Sequence, residues 1–437
     1  MNIPTSCDVV VVGGGPAGSL LSTYLSQKGY DIVLFDKQKH PRYAVGESLI
    51  PDFWKFTDLA GVSDKIEAEG FIDKAGGVAF WQGEIRGHTF KDFGYSRPAM
   101  HIERARFDHI LIENSREKGT KAFEEVAVLK ADFEKEDEVV VTYRPVNEGE
   151  PGTISCRFVV DASGQNAVIG KQLGLREMDP AFRYMGVWGY FDGSDYVDFD
   201  GNTHSRDELG TVKPVTFISS LDENGDAGWS WHIALRDNTS VGIVKPVREM
   251  KQDKGRETSW ESWFEETART IPVTGDLLKS ATLVPGSVRV IRDYSYQSKR
   301  LAGPGYFLIG DAAGFVDPIF SVGVVLSMYS AYAASWAIDA SFKKPESTEL
   351  NQELFSRQLQ GRLEIARSLA LPRYRSEDDG VSELAKQAIQ LERNDVRELM
   401  HAVSSLTTRS DNFKEMVNHK DVPQIDTDKV KIIEKVN

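Results

Sequence analysis

The sequence contains only two cysteines, Cys7 and Cys156, in 437 residues, and no CxxC spacing. That excludes a disulfide-built fold and a metal–thiolate centre and leaves two partly buried thiols. Histidine is sparse as well: the eight histidines form neither an HxxxH nor an HxH pair, so neither a metal site nor iron-based oxygen activation is expected. Clusters of basic residues are also missing. With 52 basic and 66 acidic side chains the formal charge is -14, which argues against an extended nucleic-acid surface. Long apolar runs are lacking too: Val9–Val12 with its flanks and Gly323–Ala334 fall well short of the roughly 20 apolar residues of a membrane-spanning helix. The first residues have no basic start followed by a hydrophobic stretch, so a cytoplasmic location is expected. There is no internal repeat and no low-complexity block.

What the chain does have is material for a sizeable core. Hydrophobic residues make up 41%, and eight tryptophans and 22 phenylalanines are spread along it, so a chain of this length is expected to form two interlocked domains. The first 35 residues alternate element types: a β-branched run at Val9–Val12, a glycine turn, a helical stretch at Pro16–Lys28 and a second apolar strand at Ile32–Phe35. Such a βαβ unit seeds a doubly wound α/β sheet of the Rossmann-like kind. Val139–Tyr143, Phe158–Val160 and Tyr306–Ile309 are predicted to rejoin that sheet. Residues 182–290 carry alternating apolar and polar runs, which predict an antiparallel-sheet substrate domain with one wet face. The expected division is thus 1–181 and 291–345 for the nucleotide-binding domain, 182–290 for the substrate domain, and 346–437 for a helical C-terminal region and tail.

Gly13-x-Gly15-x-x-Gly18 lies between a strand and a helix, and Asp36 closes the next strand. Glycines let the backbone approach a pyrophosphate, the helix N-terminus offers unpaired amides, and the carboxylate can receive ribose hydroxyls. Two later segments end apolar runs in an aspartate and small residues: Asp161-Ala162-Ser163-Gly164 and Gly310-Asp311-Ala312-Ala313-Gly314. With Arg104 in Arg104-x-x-Phe107-Asp108, they resemble the FAD-binding set of the aromatic-hydroxylase and geranylgeranyl-reductase flavoproteins over residues 5 to 340. The resemblance implies FAD as cofactor, held with the help of Arg104, Asp161 and Asp311. No second glycine-rich motif is present for NAD(P)H, so reduction is expected through a separate flavin reductase or transient contact.

Within that group, four features are similar to flavin-dependent halogenases. They are Gly46-Glu47-Ser48-Leu49-Ile50-Pro51, Trp229-x-Trp231-x-Ile233, Asp317-Pro318-Ile319-Phe320-Ser321-Val322-Gly323-Val324, and Lys74 downstream of Gly-Glu-Ser. The resemblance implies that reduced FAD and oxygen convert halide to hypohalous acid, which reaches Lys74 beside the substrate. It also implies that Glu47, Ser48 and Gly323 adjoin the cofactor, that Ser321, Val322 and Gly323 adjoin halide or flavin, and that Trp229 and Trp231 form a barrier between substrate and flavin. A lysine withdrawn from water can serve either as an ammonium donor or as a neutral amine.

The chain departs from the family pattern at three positions. Ala234 stands where the barrier segment usually ends in proline, Val322 where a hydroxyl residue is common, and Phe320 where halogenases of free tryptophan commonly carry glutamate. The expected substrate is therefore a phenol, pyrrole or other electron-rich aromatic, as a small molecule, on a carrier or as a protein side chain. The alternative is a halogenase-like flavin monooxygenase that hydroxylates an aromatic ring, such as a protein tryptophan in quinone-cofactor maturation. A third class, an FAD-stabilised interaction protein, would use the charged C-terminal helices for docking.

Overall fold

The structure is a computed structural model that describes residues 2–370 apart from 82–83, 92–94, 136, 148, 181, 222–227 and 255–258. The chain divides into two compact units. Met1–Phe71, Ile102–Pro180 and Tyr294–Leu363 form the first; Ile72–His101 and Ala181–Asp293, with the stretch from Glu364, form the second. Segment 72–101 thus leaves the nucleotide-binding stretch 1–181 in which the sequence reading places it. The helix expected early in the C-terminal region is present at Thr348–Ala370; the rest of that region, 371–437, lies outside the described residues.

The first unit is built on a six-stranded sheet in the order Ala302–Gly303, Tyr306–Leu308, Phe158–Asp161, Val9–Val12, Ile32–Asp36, Lys121–Glu124. All pairs are parallel except the edge pair Ala302–Gly303 with Tyr306–Leu308. Val9–Val12 is buried along its whole length, as a strand covered on both faces must be, which explains why it is a continuous valine run rather than an alternating one. From that central strand the chain first builds outward to Ile32–Asp36 and Lys121–Glu124, then crosses to Phe158–Asp161 and Tyr306–Leu308 on the other side. The order therefore reverses between Val9–Val12 and Phe158–Asp161, the kind of switch point at whose carboxyl end ligands bind. The turn after Val12, Asp36, Asp161 and the turn after Leu308 all lie at that end.

Val139–Tyr143 does not rejoin the parallel sheet. It belongs to strand Glu138–Pro145, the middle of a separate antiparallel sheet between Val126–Lys135 and Gly152–Cys156. The short connection after Lys135 is the reason: it suits antiparallel pairing with the sequence neighbour, whereas a parallel partner needs a long crossover.

The second unit contains one large sheet in the order Thr282–Leu283, Tyr184–Asp192, Thr239–Pro246, Trp229–Ala234, Thr216–Ser220, Gly76–Trp81, Glu84–Thr89, with Arg289–Arg292 also on Tyr184–Asp192. It is antiparallel, as expected, except where Thr216–Ser220 and Gly76–Trp81 run parallel. The wet face predicted for it is not found in its central strands: Thr216–Ser220 and Trp229–Ala234 are buried throughout. The alternating polar positions are small or internally satisfied. Ser219 donates to the Pro272 carbonyl, and His232 is hydrogen-bonded to Ser194 at 2.9 Å. Paired in this way, a polar group is buried at little cost. Met185, Val187, Val241 and Ile243 pack against Trp263 and Phe264 of helix Trp260–Thr270 to make the core of this unit.

Candidate active site

The glycine turn of the first unit is dictated by contact. Gly13 has φ +108°, and a β-carbon there would lie 2.4 Å from the Ala162 carbonyl oxygen; one on Gly18 would lie 1.9 Å from the Gly13 carbonyl oxygen. Helix Pro16–Gln27 starts directly after Gly15 with proline in its first turn and no acidic residue near its N-terminus, leaving the positive end of its dipole unopposed by its own side chains. Asp36 accepts from the Gly14 amide at 2.8 Å and the Gln38 amide at 2.8 Å. Its Oδ1 still has a lone pair to receive a hydroxyl.

Arg42, which the sequence reading does not single out, completes this end of the sheet. Its guanidinium reaches Asp36 at 3.3 Å and Asp108 at 3.5 Å, and it is the atom set nearest to a β-carbon built on Gly15, at 3.5 Å. Its Nε is buried with no hydrogen-bond partner. A buried orphan donor of an always-charged side chain beside a glycine turn and a helix N-terminus fits the pyrophosphate of a dinucleotide. No periodicity or spacing marks Arg42 in the sequence.

Arg104 is 8% exposed and makes a two-pronged pair with Asp108, at 2.8 and 3.0 Å, one helical turn on. It also donates to the Val45 carbonyl, and a β-carbon on Gly46, φ +106°, would meet its Nη1 at 2.9 Å. Arg104 therefore shapes the Gly46-Glu47-Ser48 loop. Burial opposes its charge, but Asp108, then Glu47 and Asp311, more than offset this and hold it above the ordinary guanidinium value. Asp311 is pushed up to about 6 by burial, with Arg104, Gln165 and Ser327 pulling the other way.

Asp161 does not fit direct contact with a cofactor. Its Oδ1 accepts from the Ser163 amide and hydroxyl at 3.0 and 2.6 Å, and its Oδ2 from the Ile169 and Gly170 amides at 2.7 and 3.2 Å. It is fully buried and clamps its own turn, so what this segment offers a ligand is backbone. Ser321 has φ +57° and donates to the Ser48 hydroxyl at 3.0 Å, so the Gly-Glu-Ser loop and the start of helix Gly323–Lys343 meet. Val322, 4% exposed, is the N-cap residue and supplies no side-chain donor, and a β-carbon on Gly323 would meet the Phe315 ring at 3.0 Å.

Lys74, Trp229 and Trp231 lie in the second unit. Lys74 ends strand Ile72–Lys74, which pairs with Ala99–His101. It is 4% exposed and therefore not a solvated surface lysine. Its Nζ donates to Thr216 Oγ1 at 3.2 Å and sits 5.2 Å from the centre of the Phe90 ring. Burial lowers its pKa to about 7. Trp229 and Trp231 share a strand face with ring centres 5.7 Å apart, and Trp231 donates to Ser240 at 3.1 Å. Among the described residues, no group of three or more His, Cys, Asp or Glu could hold a metal ion, and no helix is long and apolar enough to cross a membrane.

The switch-point glycine turn, the acceptor Asp36 and the cation Arg42 suit a dinucleotide, and the FAD binding domain family model matches residues 6–352, which makes the chain an FAD-binding flavoprotein. The chain belongs to the flavin-dependent halogenase family of FAD-dependent oxidoreductases. It is 33% identical over 77% of its length to the chlorinase of 1H-pyrrole-2-carbonyl peptidyl-carrier protein from Pseudomonas fluorescens, covering 76% of that protein. It is 36% identical over 83% of its length to tryptophan 2-halogenase from Chondromyces crocatus, but spans only 66% of that protein's length. Among solved structures, the myxobacterial chondrochloren halogenase CndH is similar with a TM-score of 0.76 at 28% identity, over 95% of this chain and 92% of that one.

Proposed function

We propose that the protein is an FAD-dependent halogenase that uses reduced flavin, oxygen and chloride or bromide to halogenate an electron-rich aromatic ring of the phenol, pyrrole or indole type. The observation that carries this reading is Lys74: a buried lysine whose pKa, lowered by burial to about 7, keeps both the ammonium and the amine accessible near neutral pH. The glycine turn, Asp36 and Arg42 would hold the FAD, with Arg104 fixing the Gly46-Glu47-Ser48 loop beside it. When bound and reduced, FAD would supply with oxygen the equivalents that convert halide to hypohalous acid. The Lys74 ammonium then donates a proton to the oxygen of hypohalous acid as the halogen passes to a ring carbon. The oxygen–halogen bond breaks, water leaves, and the ring proton returns to the amine. Phe320 is buried and apolar, so that position offers no carboxylate to the amino group of a free amino acid. The carrier-bound pyrrole named for one relative suits a substrate without such a group.

Mass spectrometry after incubation with reduced FAD, oxygen, bromide and a panel of phenols, pyrroles and indoles tests the proposal. A bromine isotope doublet that disappears in Lys74→Ala is the expected result. Val322 and Ala234 favour the second reading, aromatic hydroxylation; an oxygen addition unaffected by omitting halide would establish it and overturn the first.

A further inference from the structure

Lys74 belongs to a buried hydrogen-bonded chain. Ile72 pairs with His101 and Lys74 with Ala99, so residues 72, 74, 99 and 101 share a face and His101 is the diagonal neighbour of Lys74. Thr216 enters from the parallel strand, where it pairs with Gly77. Its Oγ1 lies 3.2 Å from Lys74 Nζ and 2.9 Å from His101 Nε2, while His101 Nδ1 lies 3.0 Å from the Ala234 carbonyl oxygen. A carbonyl can only accept, so Nδ1 carries the proton and Nε2 of the neutral ring must accept from the Thr216 hydroxyl. The Thr216 proton is then committed to His101, and only its lone pairs face Lys74.

We infer that Thr216 and His101 are positioning residues for Lys74, a one-way relay of hydrogen bonds from the Ala234 carbonyl that fixes where the lysine nitrogen sits and which way its remaining bonds point. This rests on the assignment of Lys74 as the residue that handles the electrophile. The surroundings keep the direction of the chain fixed. His101 is held well below its ordinary value by burial and then by the Lys74 charge. His232, the next titratable group, is held at about 3 by burial, with Arg206 adding to the effect, and is bonded to Ser194. Asp73 points to the other face of the strand and pairs with Lys213 at 2.9 Å. Both histidines therefore stay neutral while Lys74 titrates. Ala234 takes part through its carbonyl, so the absence of proline there leaves the relay intact.

The test compares wild type, Thr216→Val, Thr216→Ser and Lys74→Ala as FAD-loaded protein. Two quantities are read: the pH midpoint for acetylation of Lys74 by acetic anhydride, followed by mass spectrometry, and the rate of bromination of a phenol from the panel. Thr216→Val keeps the shape but loses the acceptor. It should move the midpoint down by about one pH unit, the worth of a hydrogen bond to a charged group, and slow bromination roughly ten-fold or more. Thr216→Ser should restore both, which a merely structural role for the methyl-bearing side chain would not produce. An inactive Lys74→Ala alongside Thr216→Val with wild-type midpoint and rate would overturn this inference alone. Lys74→Ala with wild-type bromination would overturn the assignment of Lys74, and the inference with it.

Discussion

Gly18 faces Gly13 across the first turn of the opening helix so closely that a β-carbon on Gly18 would fall 1.9 Å from the Gly13 carbonyl oxygen. Backbone, not a flexible side chain, occupies that space, so Gly18→Ala must displace the helix from the turn. The expected cost is on the order of 3 kcal/mol or more, with loss of bound flavin. The ratio of flavin to protein absorbance after purification checks this; a variant with full FAD content would show that the turn relaxes cheaply.

Lys74 makes stability depend on pH in a defined window. Its folded pKa, about 7, is below the ordinary 10.5 because burial disfavours the charge. Between these values the unfolded chain binds more protons than the folded one, so stability rises with pH from about 7 to about 10.5, and below 7 the full penalty applies. Lys74→Met removes that slope. The variant should be more stable than wild type by a few kcal/mol, about what a shift of this size is worth, at pH 7 and below, with the advantage closing toward pH 10.5. Denaturant melts of both proteins across this range measure it, and parallel curves would refute it.

Removing the orphaned donor beside the glycine turn should weaken cofactor binding without unfolding the protein. Arg42→Gln is expected to raise the FAD dissociation constant by about 10- to 100-fold, the worth of charge-assisted hydrogen bonds to phosphate. The salt dependence of binding should also be shallower in the variant. Fluorescence titration of the apoprotein with FAD at two ionic strengths reads both effects.

Gly242 is the floor on which Trp231 lies: a β-carbon there would come within 2.1 to 2.3 Å of three indole atoms. Gly242→Ala should tilt the indole, break its hydrogen bond to Ser240 and destabilise the second unit by about 1–3 kcal/mol. A lower denaturant midpoint with shifted tryptophan emission is the expected signature. An unchanged midpoint would mean that the indole repacks without loss.

The βαβ opening, Asp36 and the strands at Phe158 and Tyr306 were legible because each is announced locally, by a valine run, a glycine turn or an aspartate closing an apolar stretch. Arg42 and Thr216 were not, since their roles arise from tertiary placement and neither follows a spacing rule. His101 left a faint signal, an imidazole inside the apolar run Ala99-Met100-His101-Ile102. Asp161 misled the reading because a carboxylate closing a strand has the same local pattern whether it faces a ligand or clamps its own loop. The central strands of the large sheet misled it for a related reason: serine, threonine and histidine count as polar in an alternating pattern yet are buried once paired. The antiparallel placement of Val139–Tyr143 beside Val126–Lys135 followed from a connection too short for a parallel crossover.

The parallel register of Thr216–Ser220 beside Gly76–Trp81 also bears on the order of folding. Lys74 and Thr216 stand 142 positions apart in the chain, so the lysine cannot be enclosed until that long loop has closed. Closure entropy grows slowly with length but is lost before any distant contact forms. The valine-rich opening of the first unit needs no such closure to start. Assembly around Lys74 is therefore expected to be late, and mutations in that parallel pair should chiefly hasten unfolding, read as a steeper change in unfolding than in refolding rate, rather than slow the first collapse.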